Sequence, residues 1–218
     1  MIALDLFCGA GGASKGLLNA GFERVIGLDN KEQRYYFDEY EFVLGDALTQ
    51  NYVDPKAFDF IWASPPCQAY SYASKKYRNK GKKYPDLIAA TREMLLKTGK
   101  PFVLENVVGS PLRKDLLLCG EMFGLRIVRH RIFETHGFKC KQPEHPKHKI
   151  PITIKGLKKK KSWYMQVAGH GGQSYSFKLK DWQNAMEINW IHNRHTLAQC
   201  VPPAYAEYIG RQFLEATP

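Results

Sequence analysis

The segment "IALDLFCGAGG", residues 2–12, decides the fold predicted for this chain. Its apolar first half is typical of a buried β-strand, and its glycines predict a tight turn. Residues 14–20 then have the composition of a helix that ends at Gly21. A strand, a glycine loop and a helix in this order are typical of folds that bind a ligand at a helix N-terminus. A tight strand-to-helix turn also favours glycine without any ligand, so the loop alone identifies no function.

The alternation of strands and helices continues along the chain. Further strands are predicted at 24–29, 40–46, 58–64 and 101–107, and helices at 86–98 and 115–123. A last helix is predicted to begin near Pro203. This order predicts an α/β fold, with a parallel sheet covered by helices on both faces.

Composition limits the class of protein. At 218 residues and 44% hydrophobic residues, the chain can form one globular domain, or one domain carrying an insertion. Its formal net charge of +11 favours a polyanionic partner, nucleic acid first, although a basic enzyme without such a partner has the same balance. The five scattered cysteines indicate a reduced intracellular protein and no disulfide framework.

The sequence begins without the features of a targeting segment. No basic region precedes the first apolar run, Asp5 interrupts that run, and no apolar stretch approaches membrane-spanning length. We therefore expect no membrane partner and a cytoplasmic location.

Acidic residues end the second and third predicted strands. Asp29 follows Gly9 by 20 residues and can bind the hydroxyls of a ribose, while Asp46 can accept a hydrogen bond from an adenine amino group. Two acidic residues in these places fit S-adenosylmethionine at least as well as a dinucleotide.

Two prolines and a cysteine follow the fourth predicted strand, in "SPPCQ" at 64–68. Because proline cannot donate to a β-ladder, the pair can simply end the strand. Alternatively, it stiffens a loop that holds the Cys67 thiol at the carboxyl edge of the sheet, where open α/β folds place their ligands.

Five motifs in one order resemble those of the cytosine-C5 DNA methyltransferases. They are "DLFCGAGG" (5–12), "SPPCQ" (64–68), "ENV" (105–107), "RHR" (129–131) and "LAQCVPPAYAEYIG" (197–210). The resemblance spans nearly the whole chain except about 136–185. It implies a seven-stranded Rossmann-like sheet with S-adenosylmethionine as cofactor, a catalytic domain of 1–135 and 186–218, and a small loop-rich recognition insert at 136–185.

The resemblance implies methyl transfer to carbon 5 of cytosine in double-stranded DNA. Cys67 would add to carbon 6 of a cytosine flipped out of the duplex, and Glu105 would hold a proton near ring nitrogen N3. Arg129 and Arg131 would contact the base or its phosphate and support the glutamate. An RNA cytosine methyltransferase and a non-catalytic DNA-binding module are the alternatives.

The other expected contacts fall into two sets. The cofactor would be bound by Phe7, Gly9, Gly11, Gly12, Asp29, Asp46 and Pro65. DNA would be bound by Gln68, with Tyr70 as a further helper of the loop, and by Lys158, Lys159, Lys160 and Lys161. Phe7 could equally be a core residue, and the lysines could equally form a solvated loop. We expect a monomer from a bacterial or phage-infected cell, with restriction-modification as the setting.

The chain departs from the family pattern at a few positions. Ile127 replaces the glutamine that precedes the arginine pair, Ala198-Gln199 replaces a Gly-Asn pair, and Asp29 replaces a glutamate. None of these changes removes a group that performs chemistry.

Histidines and a cysteine are grouped in "HGFKCKQPEHPKH", residues 136–148. A zinc site there would use His136, Cys140, His145 and His148. With one thiol and no paired CxxC the pattern is weak, and we expect no metal.

Overall fold

The computed structural model describes residues 1–38, 41–49, 53–148, 165, 167 and 177–217. Its sheet has seven strands: β1 Ile2–Leu6, β2 Arg24–Asp29, β3 Phe42–Leu44, β4 Phe60–Ala63, β5 Phe102–Asn106, β6 Leu116–Leu118 and β7 Arg131–His136. They lie in the order β3-β2-β1-β4-β5-β7-β6. This arrangement confirms the predicted α/β, Rossmann-like methyltransferase fold.

The sheet is mixed. Strands β1 to β5 pair in parallel, whereas β7 is antiparallel to both of its neighbours, β5 and β6. The prediction of a wholly parallel sheet is therefore wrong at this edge. The connection between β6 and β7 contains a 3₁₀ turn but no crossover helix, so it returns the chain to its neighbour in the opposite direction.

The chain changes direction across the sheet between β1 and β4. It passes from β1 outward to β2 and β3, and then returns to β4 on the other side of β1. In open α/β sheets, the carboxyl ends of strands at such a switch point leave a crevice for ligands. The ends of β1 and β4 carry the glycine loop and the Cys67 loop, respectively.

Six α-helices lie among the described residues: α1 Gly12–Ala20, α2 Lys75–Arg78, α3 Ile88–Leu96, α4 Leu179–Met186, α5 Arg194–Gln199 and α6 Pro203–Ala216. The helix predicted at 115–123 is wrong, because this segment forms β6 and a 3₁₀ turn at Gly120–Phe123. Its apolar run is too short for periodicity to separate helix from strand. No helix in the described parts of the chain has both the length and the apolar character needed to cross a membrane.

Helices cover both faces of the sheet, as predicted. On one face, Leu17 of α1 and Ile209 of α6 pack with Phe60 of β4. On the other face, Ile88 and Leu95 of α3 pack with strand residues that include Ile61 and Leu104. All of these side chains are buried, and the helices on the two faces fix the strand ends relative to one another.

Helix α4 crosses the end of the predicted insert. It begins at Leu179, and its Trp182, Ala185 and Met186 side chains are buried in the core that contains α1 and α6. Two other described insert residues, Met165 and Val167, are buried in the same core. The described part of the insert thus packs directly against the rest of the fold.

Helices α1 and α6 cross closely at Gly16. A Cβ atom at this position would overlap the carbonyl oxygen of Pro203 and lie 2.8 Å from the Cβ of Ala206. Since backbone occupies that space, no side-chain rotation could relieve the overlap. Glycine at residue 16 is required by the helix packing.

We expect Gly16→Ala to destabilise the protein by about 1–3 kcal/mol, because overpacking outweighs the roughly 1 kcal/mol gain in helix propensity. Urea unfolding followed by circular dichroism measures the change. Gly109→Ala is the matched control, since its Cβ would meet only Tyr70 O at 3.4 Å. A Gly16→Ala midpoint at or above that of the parent would contradict this packing.

Candidate active site

The Cys67 loop is fixed from both ends. Before the cysteine, the carbonyl of Pro65 accepts a hydrogen bond of 2.8 Å from Asn106 Nδ2 at the end of β5. After it, the amides of Tyr70 and Ser71 donate to Cys67 O at 3.0 and 2.8 Å. The prolines therefore lead into a turn that holds a partly buried thiol at the carboxyl edge of the sheet. Asn106 was not singled out from the sequence, although it lies within the "ENV" motif.

Glu105 and Arg131 form an ion pair beside this loop. Arg131 Nε lies 2.9 Å from Glu105 Oε1, and both side chains are largely buried. They are neighbours because antiparallel pairing of β5 with β7 brings the start of β7 to the end of β5. The Ser64 side chain also forms a hydrogen bond with the Glu105 carboxyl, so this buried group is held by two neighbouring side chains.

Burial and the neighbouring arginines have opposite effects on the pKa values of Cys67 and Glu105. Burial raises the pKa of the Cys67 thiol, the positive charge of Arg131 lowers it, and the negative charge of Glu105 raises it. Burial also raises the pKa of the Glu105 carboxyl, against the lowering effect of Arg131 and Arg129. The geometry thus joins a thiol, an acid and a guanidinium whose charges depend on one another.

Arg129 has a different environment from Arg131. Its guanidinium donates to the carbonyls of Val167, Ala198 and Cys200 at 2.6, 2.8 and 3.2 Å. Burial and the charge of Arg131 lower the pKa of Arg129 to about 10, so it stays protonated at neutral pH. The predicted contact of both arginines with the base or its phosphate stays a prediction. Arg129 lies before β7 and ties three chain segments together, while Arg131 faces Glu105.

The glycine loop forms the other side of the switch point. Phe7 and Gly11 have φ values of 58° and 79°, and the amide of Gly9 donates to Asp29 Oδ2 at 3.0 Å. A Cβ atom at Gly12 would overlap Val201 O and Cys200 Sγ. Glycine at residue 12 therefore allows the C-terminal motif to pack against the start of α1.

Asp29 and Asp46 lie where predicted, at the carboxyl ends of β2 and β3. Asp29 Oδ1 accepts from the Lys31 amide at 3.0 Å, and Asp46 Oδ1 accepts from the Leu48 amide at 2.9 Å. These local bonds orient each carboxylate and leave lone pairs on its oxygens. Both acids are thus placed to bind hydroxyl or amino groups of a ligand along this edge.

Two residues that the sequence interpretation missed support the glycine loop. Asp5 is fully buried and accepts from the amide and the hydroxyl of Ser14 at 3.0 and 2.5 Å, and burial raises its pKa to about 7. Trp190 Nε1 donates to Ala10 O at 2.9 Å. The only sequence signal for Asp5 is a charge inside an apolar strand.

The chain that follows Cys67 is strongly basic. Arg78 Nη1 donates to the carbonyls of Gln68 and Ser71, each at 2.8 Å, and so braces the loop. The segment 75–83 also contains Lys75, Lys76, Lys80, Lys82 and Lys83. This positive charge beside the thiol was also missed by the sequence interpretation. The predicted DNA contacts Lys158, Lys159, Lys160 and Lys161 lie outside the described residues.

The histidines and cysteine of 136–148 do not form the group considered from sequence. His136 Nε2 lies 2.7 Å from Glu134 Oε1, and its ring stacks on Phe102. Cys140 is in contact with the hydrophobic core. Only His145 and His148 of that set lie in the group of possible metal ligands found in the described part of the chain.

Residues 1–114 match the family model described as C-5 cytosine-specific DNA methylase. The Type II methyltransferase M.HgiGI of Herpetosiphon aurantiacus is 32% identical over 94 residues, which cover 38% of this chain and 71% of that protein. M.HgiCI of the same organism is 28% identical over 200 residues, 85% of this chain but 45% of the relative. This chain thus spans less than half the length of M.HgiCI.

Solved structures share the fold. A structure of the Entamoeba histolytica methyltransferase EhMeth has a TM-score of 0.65 at 13% identity, with 100% of this chain and 99% of that one covered. At this identity the likeness concerns the fold alone.

The electrostatics of the thiol lead to a pH prediction. Because the Arg131 charge opposes the effect of burial, Arg131→Gln should raise the Cys67 pKa further. Alkylation by iodoacetamide follows the thiolate, so its midpoint at Cys67 should move to higher pH. Mass spectrometry of the Cys67 peptide measures this midpoint. Arg113→Gln, which removes a half-exposed arginine paired with Asp115, should leave the alkylation midpoint unchanged. Equal alkylation profiles for the parent and both variants would contradict the effect of Arg131 on the Cys67 pKa.

Proposed function

Because this chain belongs to the C-5 cytosine-specific DNA methylase family, we propose that it methylates carbon 5 of cytosine in double-stranded DNA. The observation that carries the proposal is the placement of the Cys67 loop beside the Glu105–Arg131 ion pair. A thiol nucleophile, a proton-holding acid and a cation are the groups that this reaction requires. The relatives named Type II methyltransferases support a restriction-modification setting.

The proposed cofactor is S-adenosylmethionine, which supplies a methyl group on a cationic sulfonium. The edge formed by β1, β2 and β3 fits such a ligand, since Asp29 and Asp46 offer carboxylate oxygens along it. The cofactor would also be contacted by four residues of the loop, Phe7, Gly9, Gly11 and Gly12, and Pro65 would face it from the end of β4. At Gly9, which has a positive φ, a Cβ atom would meet nothing within 4 Å, so this part of the loop leaves room for a ligand.

Cys67 is the proposed nucleophile. Its thiolate would add to carbon 6 of the cytosine, because carbon 5 is otherwise a poor nucleophile. The new S–C6 bond moves the electrons of the C5–C6 double bond to carbon 5 as an enamine. Arg131 would favour the thiolate, because its positive charge lowers the Cys67 pKa.

Glu105 is the proposed acid. Its carboxyl would donate or share a proton at ring nitrogen N3, where electron density rises as the thiolate adds. Its burial supports this role, because burial raises its pKa and favours the protonated form. Arg131 would orient the carboxyl through the 2.9 Å contact to Oε1. Arg129 would act as a positioning residue that holds the chain leading to Arg131.

The remaining steps return the protein to its starting form. The enamine carbon 5 would attack the donor methyl group, and the new C–C bond would form as the bond from methyl to the sulfonium breaks and S-adenosylhomocysteine leaves. Loss of the carbon 5 proton to a base and breaking of the S–C6 bond would then restore the ring and the Cys67 thiolate. A cytosine within a duplex cannot reach these groups, so the base must leave the stack, at a cost of a few kcal/mol.

The proposed DNA contacts are of two kinds. Gln68, with Tyr70 and the basic segment 75–83 next to it, would approach the flipped nucleotide and its phosphates. The recognition insert, 136–185, would read base edges, with Lys158 to Lys161 supplying phosphate contacts. We propose that the protein acts as a monomer, within a catalytic domain of 1–135 and 186–218.

Cys67→Ser should lower methyl transfer by at least about 1,000-fold, roughly 4 kcal/mol of barrier, while cofactor binding is kept. Transfer of labelled methyl from S-adenosylmethionine to duplex DNA measures the loss. With the parent protein, a duplex containing 5-fluorocytosine should form a covalent adduct at Cys67, because fluorine blocks the final loss from carbon 5. Cys140→Ser is the matched control and should keep both activities.

The same assay separates the alternatives. Labelling of transfer RNA in place of duplex DNA would replace the DNA proposal with an RNA methyltransferase. Absence of labelling on either substrate, together with retained DNA binding, would indicate a non-catalytic module. A covalent adduct formed equally well by Cys67→Ser would refute the nucleophile assignment.

The size of the insert leads to a prediction on recognition. A region of about 50 residues should read few base pairs, so we expect a target of about two to four base pairs. Replacing Lys158 to Lys161 by alanine should weaken binding to every duplex similarly and lower the salt slope by roughly four. Fluorescence anisotropy at several salt concentrations measures both effects, with Lys56→Ala/Lys97→Ala as the control. Methylation sequencing should show the same target; a changed target would mean that these lysines read bases.

A further inference from the structure

Four side chains that can bind a metal lie close together next to the arginine motif, and the proposed mechanism uses none of them. They are Cys119, His130, His145 and His148, called here the CysHis3 cluster, and their ligand atoms all lie within 4.8 Å of one another. Cys119 is fully buried, and the three histidines are half-buried. The cluster therefore has the donor types and the shielding of a protein metal site.

Backbone pairing brings these distant positions together. Cys119 directly follows β6 and His130 directly precedes β7, and the two strands are antiparallel neighbours. The chain after β7 then returns along β6, where Gln142 binds both the amide and the carbonyl of Leu117 at 2.8 and 2.9 Å. The contact between Gln142 and Leu117 places His145 and His148 near the end of β6 and the start of β7.

Three of the distances within the cluster lie within about 0.4 Å of those expected around one shared ion. His130 Nε2 lies 2.9 Å from His145 Nε2 and 3.2 Å from His148 Nε2, and Cys119 Sγ lies 3.8 Å from His148 Nε2. A tetrahedral zinc with ordinary bond lengths separates its nitrogen and sulfur ligands by about 3.3–3.6 Å.

Hydrogen bonding alone does not account for the contacts of His130. An imidazole nitrogen carries either one proton or one lone pair in the ring plane. His130 Nε2 therefore cannot make a well-aligned hydrogen bond to both His145 and His148. A metal ion resolves this conflict, because it accepts one lone pair from each of the three nitrogens.

Glu121 supplies an outer contact typical of metal-binding histidines. Its Oε2 is paired with His148 Nδ1. With the proton of His148 on Nδ1 and donated to this carboxylate, Nε2 presents its lone pair to the cluster. Carboxylate–histidine pairs of this kind orient the ring and raise its basicity as a ligand.

We propose that Cys119, His130, His145 and His148 bind one structural Zn²⁺. A thiolate and three imidazoles fill a tetrahedral shell and favour zinc over the harder cations, which prefer oxygen ligands. The ion would join the chain after β7 to the β6–β7 edge of the sheet. Because His130 lies between Arg129 and Arg131, it would also fix the backbone that presents both guanidinium groups.

Metal content provides the first test. The full chain, expressed without a histidine tag in zinc-supplemented medium and purified without chelators, should contain about one zinc per chain by inductively coupled plasma mass spectrometry. Exchange with Co²⁺ should give the visible absorption of a tetrahedral site and a thiolate-to-cobalt charge-transfer band. These readouts on the parent protein require no variant to fold and no catalytic activity.

Variants then assign the ligands. Cys119→Ser should lose the charge-transfer band, and His145→Asn should release zinc to a chromogenic chelator at least about tenfold faster. Cys140→Ser and His136→Asn, which change the same residue types outside the cluster, should keep one zinc per chain. Chelation of the parent should lower Tm by roughly 5–10 °C, and zinc but not magnesium should restore it.

Two results would overturn the site. A parent protein that holds no stoichiometric zinc and shows no tetrahedral cobalt spectrum would refute it. A cobalt charge-transfer band that persists in Cys119→Ser and disappears in Cys140→Ser would place the metal elsewhere.

Discussion

The buried guanidinium of Arg129 is the interaction on which the rest of the site depends. Burying a cation costs several kcal/mol, and hydrogen bonds from its donors reduce that cost. Here Nη1 and Nη2 donate to carbonyls from two other segments of the chain, while Nε has no hydrogen-bond partner among the described residues. One of these segments ends at Cys200, whose sulfur packs against the glycine loop at Gly12. The other contains Val167, within the predicted insert. The chain that leads to Arg131 is thereby fixed relative to the glycine loop and to the predicted insert.

The positions of most site residues could be predicted because the topology of an open α/β sheet places strand ends together. Asp29, Asp46, Cys67 and Glu105 each follow or end an apolar run, so a parallel pairing of those runs is enough to bring them to one edge. Their partners could not be predicted in the same way. The contact of Asn106 with Pro65 and that of Arg129 with Ala198 depend on side-chain directions that no local pattern contains.

In the segment between residues 115 and 148, local sequence patterns predict neither the secondary structure nor the side chains that come together. Its first apolar run was assigned to a helix, whereas it forms an edge strand because β7 offers it an antiparallel partner. That pairing also brings Cys119 next to His130, which lie 11 positions apart with no CxxC spacing to mark them. The weak zinc pattern in the sequence therefore includes His136 and Cys140, whereas the edge of the sheet brings Cys119 and His130 next to His145 and His148.

Arg131 couples the two acidic groups of the site through a single charge. It lowers the pKa of the Cys67 thiol and also that of Glu105, although the proposed chemistry needs a thiolate and a protonated carboxyl. Both requirements are met if a proton passes from the Cys67 thiol to the Glu105 carboxylate, because this transfer leaves the net charge of the two groups unchanged. Glu105 would no longer raise the Cys67 pKa, and the Arg131 charge would act on the thiolate alone. The ion pair can thus hold the acid in place before transfer and stabilise the nucleophile after it.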